Sequence, residues 1–394
     1  MKNKNRKIGI LTGGGDTQPL NALIFSLRNL LARDGFEFFG FEKGWEGILR
    51  KKYADLRSLP DFGGIGGTVL RSSRVNLSTD DGFRKANQNL SDLGLAALVV
   101  VGGDDTLSNV YGIESVPCIG ISKTIDNDVG SLSVINGKIK TVNCFTLGYP
   151  TAADKIARLV SLEEGIRTTA YSHERILIVE SMGMHAGWLA MASAFGKPDF
   201  IIVPEFPLDY PSFLRTLMEQ YARDKNTVVV IAEGARFGGG EYMNVDPSEK
   251  DAFGHSRFGG SGQVLRDRLK TDLKGFMDAR NVNSVNPSYL YRSGAAGSLD
   301  VSAACRIAEK CFQMLSENKD GEHQFIHIEK KDSGFTAESC PFSDFKKTGQ
   351  GRFPKRHIDR KFYNPDAWSA TDLWFEYLSP IVSFRPSDLR YGLY

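Results

Sequence analysis

Short apolar runs closed by glycine, proline or a polar turn recur along this chain: Ile8 to Leu11, Phe36 to Phe41, Ala96 to Val101, Pro117 to Ile121, Ile176 to Val179, Phe200 to Val203 and Thr227 to Ala232. These runs are largely continuous rather than alternating, the pattern of strands buried on both faces. Between them the apolar spacing changes to three and four residues, in Leu23, Leu27, Leu30 and Leu31, in Ile156, Leu159 and Val160, and in Phe213, Leu214, Leu217 and Tyr221. That spacing predicts helices. Strands alternating with helices make βαβ units, so the expected fold is α/β with mainly parallel sheets. The number of elements suits two similar α/β halves sharing one cleft. After Ala232 the pattern loosens around Gly238-Gly239-Gly240 and Gly259-Gly260-Ser261-Gly262, and a helix returns over Asp300 to Leu315.

At 394 residues with 41% hydrophobic content, the chain is long enough for two domains, each with its own core. The formal net charge is +2 with both signs interspersed, which gives no bulk field toward nucleic acid or a membrane, and neither partner is expected. The five cysteines are odd in number and lack C-x-x-C spacing, arguing against a disulfide framework and a structural zinc and for a cytoplasmic protein. The basic start Met1 to Lys7 leads into too few apolar residues for a signal sequence or a membrane span. Past about Asn318 the chain is rich in charge and aromatics, with Lys346-Lys347 and Lys355-Arg356-His357; this part is expected to be a solvated extension wrapped over the domains, with an anion-binding or subunit-contact role as the alternative. His323 and His327 have metal-like spacing, but Gln324 to Ile328 looks like a strand that turns both imidazoles to one face without an acidic partner, so a structural role is expected.

Candidate chemistry gathers at the ends of the predicted strands, where an open parallel sheet collects its ligands. The first strand runs into Thr12-Gly13-Gly14-Gly15-Asp16 and a helix near Asn21, a turn whose N–H groups can cradle phosphate oxygens. A second glycine-rich segment, Gly63 to Arg74, ends in two arginines, of which Arg74 follows small residues and Arg71 reads equally well as a surface charge. Gly102-Gly103-Asp104-Asp105 places adjacent carboxylates where a strand opens into a loop, an address for metal and phosphate. Ser122-Lys123-Thr124-Ile125-Asp126-Asn127-Asp128 follows the next strand, and alternation would turn Asp126 and Asp128 the same way. Phosphoryl transfer to a sugar hydroxyl needs a carboxylate to accept the proton and cations to hold the spreading charge. Asp126 and Lys123 suit those roles.

Over roughly residues 7 to 315 the chain resembles the phosphofructokinases of the ATP- and pyrophosphate-dependent superfamily. The resemblance rests on ordered motifs: the glycine turn with Asp16 and Asn21, Gly66-Gly67-Thr68 to Arg74, Gly102-Gly103-Asp104, Thr124 to Asp128, Thr146 to Ala152, Ser172-His173-Glu174-Arg175, Met182-Gly183 and Ile231-Ala232-Glu233-Gly234. It implies two similar Rossmann-like domains with mainly parallel sheets and a shared active-site cleft: donor-binding over residues 1–150 with later segments returning to it, sugar-phosphate-binding over 151–315, and a C-terminal extension over 316–394 packing over the domains. Asp126 would accept the proton of the 1-hydroxyl of fructose 6-phosphate, with Asp128 beside it, and Asp104 would hold Mg²⁺ against the donor. Gly14, Arg74, Gly103, Asp105 and Lys123 would form the donor site. Thr124, Ile125, Met182, Gly183, Met184, Glu233, Tyr289 and Arg292 would line the sugar phosphate site, with Arg175 arriving from a neighbouring subunit of a homodimer or homotetramer.

The same resemblance points to pyrophosphate as donor. ATP-dependent relatives usually carry glycine at the place of Asp105, where a carboxylate would meet the α-phosphate; two like charges roughly 4 Å apart at an effective dielectric near 20 repel by about 4 kcal/mol. Lys123 would offset the donor's charge in the transition state. The segments Pro287 to Arg292 and Asp251 to His255 also look like those of pyrophosphate enzymes. The chain departs from the pattern in three places: Met184 stands where an arginine is usual, Gln18-Pro19 replaces Pro-Gly, and Asn283 replaces an arginine that Arg280 could supply. Alternative expectations are ATP as donor, sedoheptulose 7-phosphate as preferred acceptor, or a catalytically impaired sensing or regulatory homologue.

Overall fold

The structure, a computed structural model, describes residues 6–79, 81–135, 138–250, 256–317, 321–345, 353 and 355–387. The chain begins β1 (Lys7–Thr12), α1 (Leu20–Arg33), β2 (Glu37–Phe41), α2 (Trp45–Leu49), β3 (Tyr53–Asp55), α3 (Gly82–Leu93), β4 (Ala97–Gly102), α4 (Asp104–Ser108) and β5 (Cys118–Ser122). A hairpin, β6 (Ser131–Ile135) and β7 (Lys138–Val142), leads to α5 (Tyr149–Val160), α6 (Arg167–Ser172), β8 (Ile176–Ser181), α7 (Trp188–Ala192), β9 (Phe200–Ile202), α8 (Tyr210–Asp224) and β10 (Thr227–Ala232). The strands β11 (Val245–Lys250) and β12 (Ser256–Phe258) precede α9 (Ser261–Asp272) and β13 (Val282–Val285). The chain ends with α10 (Ser298–Ser316), β14 (Gln324–Lys331), β15 (Gly334–Pro341), the short pair β16 (Tyr363–Asn364) and β17 (Ser369–Ala370), and α11 (Asp372–Leu378).

Two sheets carry the architecture: a seven-stranded one in the order β15-β14-β5-β4-β1-β2-β3 and a four-stranded one in the order β13-β8-β10-β9. The smaller sheet is parallel throughout, and in the larger only β3 and β15 run antiparallel to their neighbours. The expected α/β class with mainly parallel sheets is what forms, and every apolar run predicted as a strand is one. β4 and β8 are buried along their whole length, which is why Ala97 to Val101 and Ile176 to Val179 are continuously apolar. β13 was not visible because Val282-Asn283-Ser284-Val285 is short and half polar.

Residues beyond 316 do more than cover the domains. β14 pairs in parallel with β5, Phe325 opposite Gly120, and β15 closes the sheet edge beyond it. Later chain also returns to the first sheet through α10, which packs along α1 and against β14 and β15. Trp374 and Tyr377 of α11 are buried against Trp188, so the expected solvated extension is instead part of the core. His323 is structural: its Nδ1 accepts from the Cys118 N–H at 3.0 Å. His327 does have acidic neighbours, contrary to expectation: Glu329 Oε1 of its own strand at 3.8 Å and Glu338, which the antiparallel pairing of β15 places opposite it. Among the described residues no helix is long and apolar enough to cross a membrane.

Candidate active site

The carboxyl ends of β1, β4 and β5 in one sheet face those of β8 and β10 in the other across a cavity of about 920 Å³. Each strand end opens into a turn whose residues point into this space. After β1, Gly14 takes φ +76°, a left-handed conformation that glycine adopts without cost. Its N–H donates to the carbonyl of Ser73 at 3.1 Å, and Asn21 fastens the same second glycine segment through Ile65 and Val69. Arg74 thereby reaches the cavity wall, while Arg71 turns outward into an ion pair with Glu42 at 3.0 Å.

Gly15 has a different reason to be glycine: a Cβ there would lie 2.1 Å from Nη1 of Arg292. Arg292 crosses that space, donating to the carbonyl of Asp16 at 3.1 Å and approaching the Met182 sulfur at 3.8 Å. Gln18, one of the departures, is buried and donates to the carbonyl of Tyr291 at 2.6 Å. The changed loop therefore ties the first turn to the segment that bears Arg292.

Beyond β4, Gly103 is the N-cap of α4, and Asp104 and Asp105 occupy its first turn and line the cavity. Lys123 leaves the end of β5 almost wholly buried, 1% exposed, and its ammonium donates to the carbonyls of Gly13, at 2.6 Å, and Gly15. Burial pulls its pKa down to about 7, with Arg292 pushing the same way against Asp16 and Asp126. The next residues turn back sharply: the Asp126 N–H donates to Thr124 Oγ1 at 3.1 Å, and Asn127 takes φ +53°. Asp126 and Asp128 both line the cavity. Asp128 is buried, and that burial together with the facing Asp104 raises its pKa to about 7.

The opposite wall comes from β8 and β10. Glu233 follows β10 and accepts the N–H groups of Gly183, at 3.0 Å, and Met184, at 2.9 Å. Those bonds hold the turn in which Met184 takes φ +46°, uncommon for a residue with a side chain. Burial raises the Glu233 pKa to about 7, against the lowering effect of the two N–H groups. Tyr289 sits at the rim, 72% exposed.

Gly14, Arg74, Gly103, Asp104, Asp105, Lys123, Thr124, Asp126, Asp128, Met182, Gly183, Met184, Glu233, Tyr289 and Arg292 all line the one cavity. Two candidates do not. Ile125 is 1% exposed and packs into the core beneath the turn. Arg175 precedes β8, at the end of that strand away from the cleft, and bonds Thr169 Oγ1 at 2.7 Å. Arg280 does not stand in for an arginine at 283, being an exposed partner of Asp278 at 2.7 Å. The segment Asp251 to His255 lies outside the described residues.

Sequence reasoning missed Glu180, Asn286 and His185, and gave Lys355 an anion-binding role only as an alternative. Glu180 accepts the N–H groups of Gly260 at 2.8 Å and Gly262 at 2.9 Å, and Asn286 at 3.0 Å, fixing a glycine turn at the cavity edge. Its position at the end of an apolar run, like that of Asp104, was a usable signal. Lys355 had only the basic run Lys355-Arg356-His357. Its ammonium lies 3.0 Å from Asp104 Oδ2 and 3.7 Å from Asp128 Oδ2. Burial lowers its pKa, but Asp104, Asp128 and Asp105 outweigh this and hold it above the usual lysine value.

A wall that sets glycine turns, arginines and lysines among converging carboxylates suits a polyanionic substrate and a proton acceptor. The family model described as Phosphofructokinase matches residues 7–315. A pyrophosphate--fructose 6-phosphate 1-phosphotransferase of Dictyoglomus thermophilum is 34% identical over 322 residues, 80% of this chain and 88% of that one. ATP-dependent 6-phosphofructokinase 3 of Streptomyces coelicolor is also 34% identical, over 325 residues, 80% of this chain and 89% of that one. Among solved structures, the pyrophosphate-dependent phosphofructokinase of Marinobacter aquaeolei superposes with a TM-score of 0.78 at 19% identity, covering 97% of this chain and 94% of that one. The motifs at the strand ends, the cleft they form and these matches together make the chain a member of the phosphofructokinase family.

Proposed function

We propose that this chain transfers a phosphoryl group reversibly from pyrophosphate to fructose 6-phosphate, giving fructose 1,6-bisphosphate and phosphate, in cytoplasmic glycolysis. Relatives named for pyrophosphate are 34–37% identical to it and those named for ATP 31–34%, so overall identity leans toward pyrophosphate by a narrow margin. The observation that carries the choice is the Asp105 carboxylate in the cavity wall beside Gly103 and Asp104. A nucleotide would bring its α-phosphate against that charge; pyrophosphate has none to bring.

In the transfer, the 1-hydroxyl oxygen of the sugar attacks the nearer phosphorus of pyrophosphate. The bond to the bridging oxygen breaks, phosphate leaves, and the hydroxyl proton passes to Asp126. Lys123, pinned by the Gly13 and Gly15 carbonyls, and Arg74 face the charge that spreads over the transferring group. Thr124, Met182, Gly183, Met184, Glu233, Tyr289 and Arg292 hold the sugar phosphate. Arg175, remote from its own cleft, serves that of a neighbouring subunit in a homodimer or homotetramer.

Mg²⁺ fits this wall. The ammonium of Lys355 lies between two carboxylates, so the spot takes a positive charge. Among the described residues no group of three or more His, Cys, Asp or Glu could hold a metal alone, which suits an ion that relies on substrate phosphates for most of its ligands. Asp104, with Asp128, would hold Mg²⁺, which when bound offsets the donor's negative charge.

Phosphorus NMR of the purified chain with fructose 6-phosphate, pyrophosphate and Mg²⁺ tests the reaction. Fructose 1,6-bisphosphate and phosphate should appear in equal amounts. Binding of the sugar phosphate without turnover would favour a sensing homologue instead.

A further inference from the structure

We propose that Lys355 is a donor-binding residue: its ammonium holds the Asp104 and Asp128 carboxylates together when no metal is bound, and moves to a pyrophosphate oxygen when Mg²⁺ takes Asp104. The proposal rests on the reading of the cleft as a pyrophosphate phosphotransferase site.

The position of Lys355 is built rather than incidental. Its backbone pairs antiparallel with Val129, directly after the turn that carries Asp126 and Asp128. The next residue, Arg356, is buried and donates to the carbonyls of Asn127 at 2.6 Å and Asn143 at 2.7 Å and to Asn127 Oδ1 at 2.5 Å, while its own N–H donates to the carbonyl of Asp128 at 2.7 Å. The guanidinium also lies 4.8 Å from the centre of the Trp188 ring. The chain at 355 is therefore locked to the turn it serves, and only the flexible four-carbon stem of the lysine is left to move.

The ammonium ends in the same cavity as Gly14, Lys123 and Asp126. An ammonium and a divalent cation compete for the same carboxylate lone pairs, so one must yield to the other. A displaced ammonium that stays in a cavity built for phosphate finds its next partner in a donor oxygen. Met184, also in the wall, brings no charge, so this lysine adds a cation on the side of the C-terminal segment.

Lys355→Met and Lys355→Arg in the full chain test the proposal. Paramagnetic resonance titration with Mn²⁺ alone, which registers the weak binding that two carboxylates give without donor phosphates, should show the methionine variant binding metal about tenfold more tightly than the parent. Its KM for pyrophosphate should rise at least about tenfold, the size of one charge-assisted hydrogen bond, with the arginine variant recovering part of that rise. Mn²⁺ affinity and pyrophosphate KM both within twofold of the parent would overturn the proposal. Tighter Mn²⁺ with an unchanged KM would overturn the move to phosphate. Were the parent to use no pyrophosphate, the proposed function would fail, while the Mn²⁺ titration would still decide whether Lys355 occupies the cation's place.

Discussion

Asp126 and Glu233 are both acids in one cavity, but their surroundings set them different tasks. Asp126 stands on a sharp turn fixed by Thr124 and lines the cavity where the reacting hydroxyl would sit. Asp126→Asn should lower kcat by about 10²- to 10⁴-fold, the usual contribution of a general base, with KM for fructose 6-phosphate within about threefold of the parent. An unchanged kcat in steady-state assays would remove Asp126 from that role. Glu233 instead holds two backbone N–H groups, with its pKa raised from 4.5 to about 7 by burial. Between those two pH values the native state keeps a proton that the unfolded chain has released, so this group's contribution to stability falls as pH rises through that window. Glu233→Gln removes the contribution. Melting temperatures of the substrate-free protein from pH 4.5 to 7 should therefore decline less steeply in the variant, and parallel curves would contradict the assignment.

At the scale of the elements, two glycine turns separate fold from function. A Cβ at Gly66 would lie 1.9 Å from the carbonyl oxygen of Gly294, a backbone atom that cannot step aside. Gly66→Ala should destabilise the protein by about 1–3 kcal/mol in a denaturant titration, the cost of overpacking. A Cβ at Gly15 meets only the tip of the Arg292 side chain, which can swing away. Gly15→Ala should leave stability nearly unchanged and raise KM for the sugar phosphate, because it moves Arg292. The reverse pattern would mean that Arg292 braces the fold rather than the substrate. These turns were legible in the sequence as glycine clusters, the first closing the apolar run Ile8 to Leu11 and the second leading to Arg71 and Arg74. The partners that make each glycine necessary were not, since Gly15 and Arg292 meet only when the two halves of the chain fold together.

The whole molecule shows the same division more sharply. Strands such as β4 and β8 could be read from their unbroken apolar runs, and most of the cavity wall follows from the rule that ligands gather at strand ends. Lys355 and Arg356 could not be read that way, because they lie in a charged, aperiodic segment and reach the turn that carries Asp126 across 229 residues in the case of Arg356 and Asn127. Burial of Trp374 and Tyr377 against Trp188 makes that reach possible, so the segment past 316 belongs to the site as well as to the core. The donor choice belongs to this scale too, because it depends on how the complete cleft receives a nucleotide or rejects it. The most direct measurement is kcat/KM for pyrophosphate and for ATP, with fructose 6-phosphate and Mg²⁺, in the parent chain and in Asp105→Gly. The parent should favour pyrophosphate by about 10³-fold, the equivalent of about 4 kcal/mol of charge repulsion, and the variant should gain ATP turnover. A parent that uses ATP as well as pyrophosphate, or an Asp105→Gly variant with unaltered donor preference, would contradict the role given to Asp105.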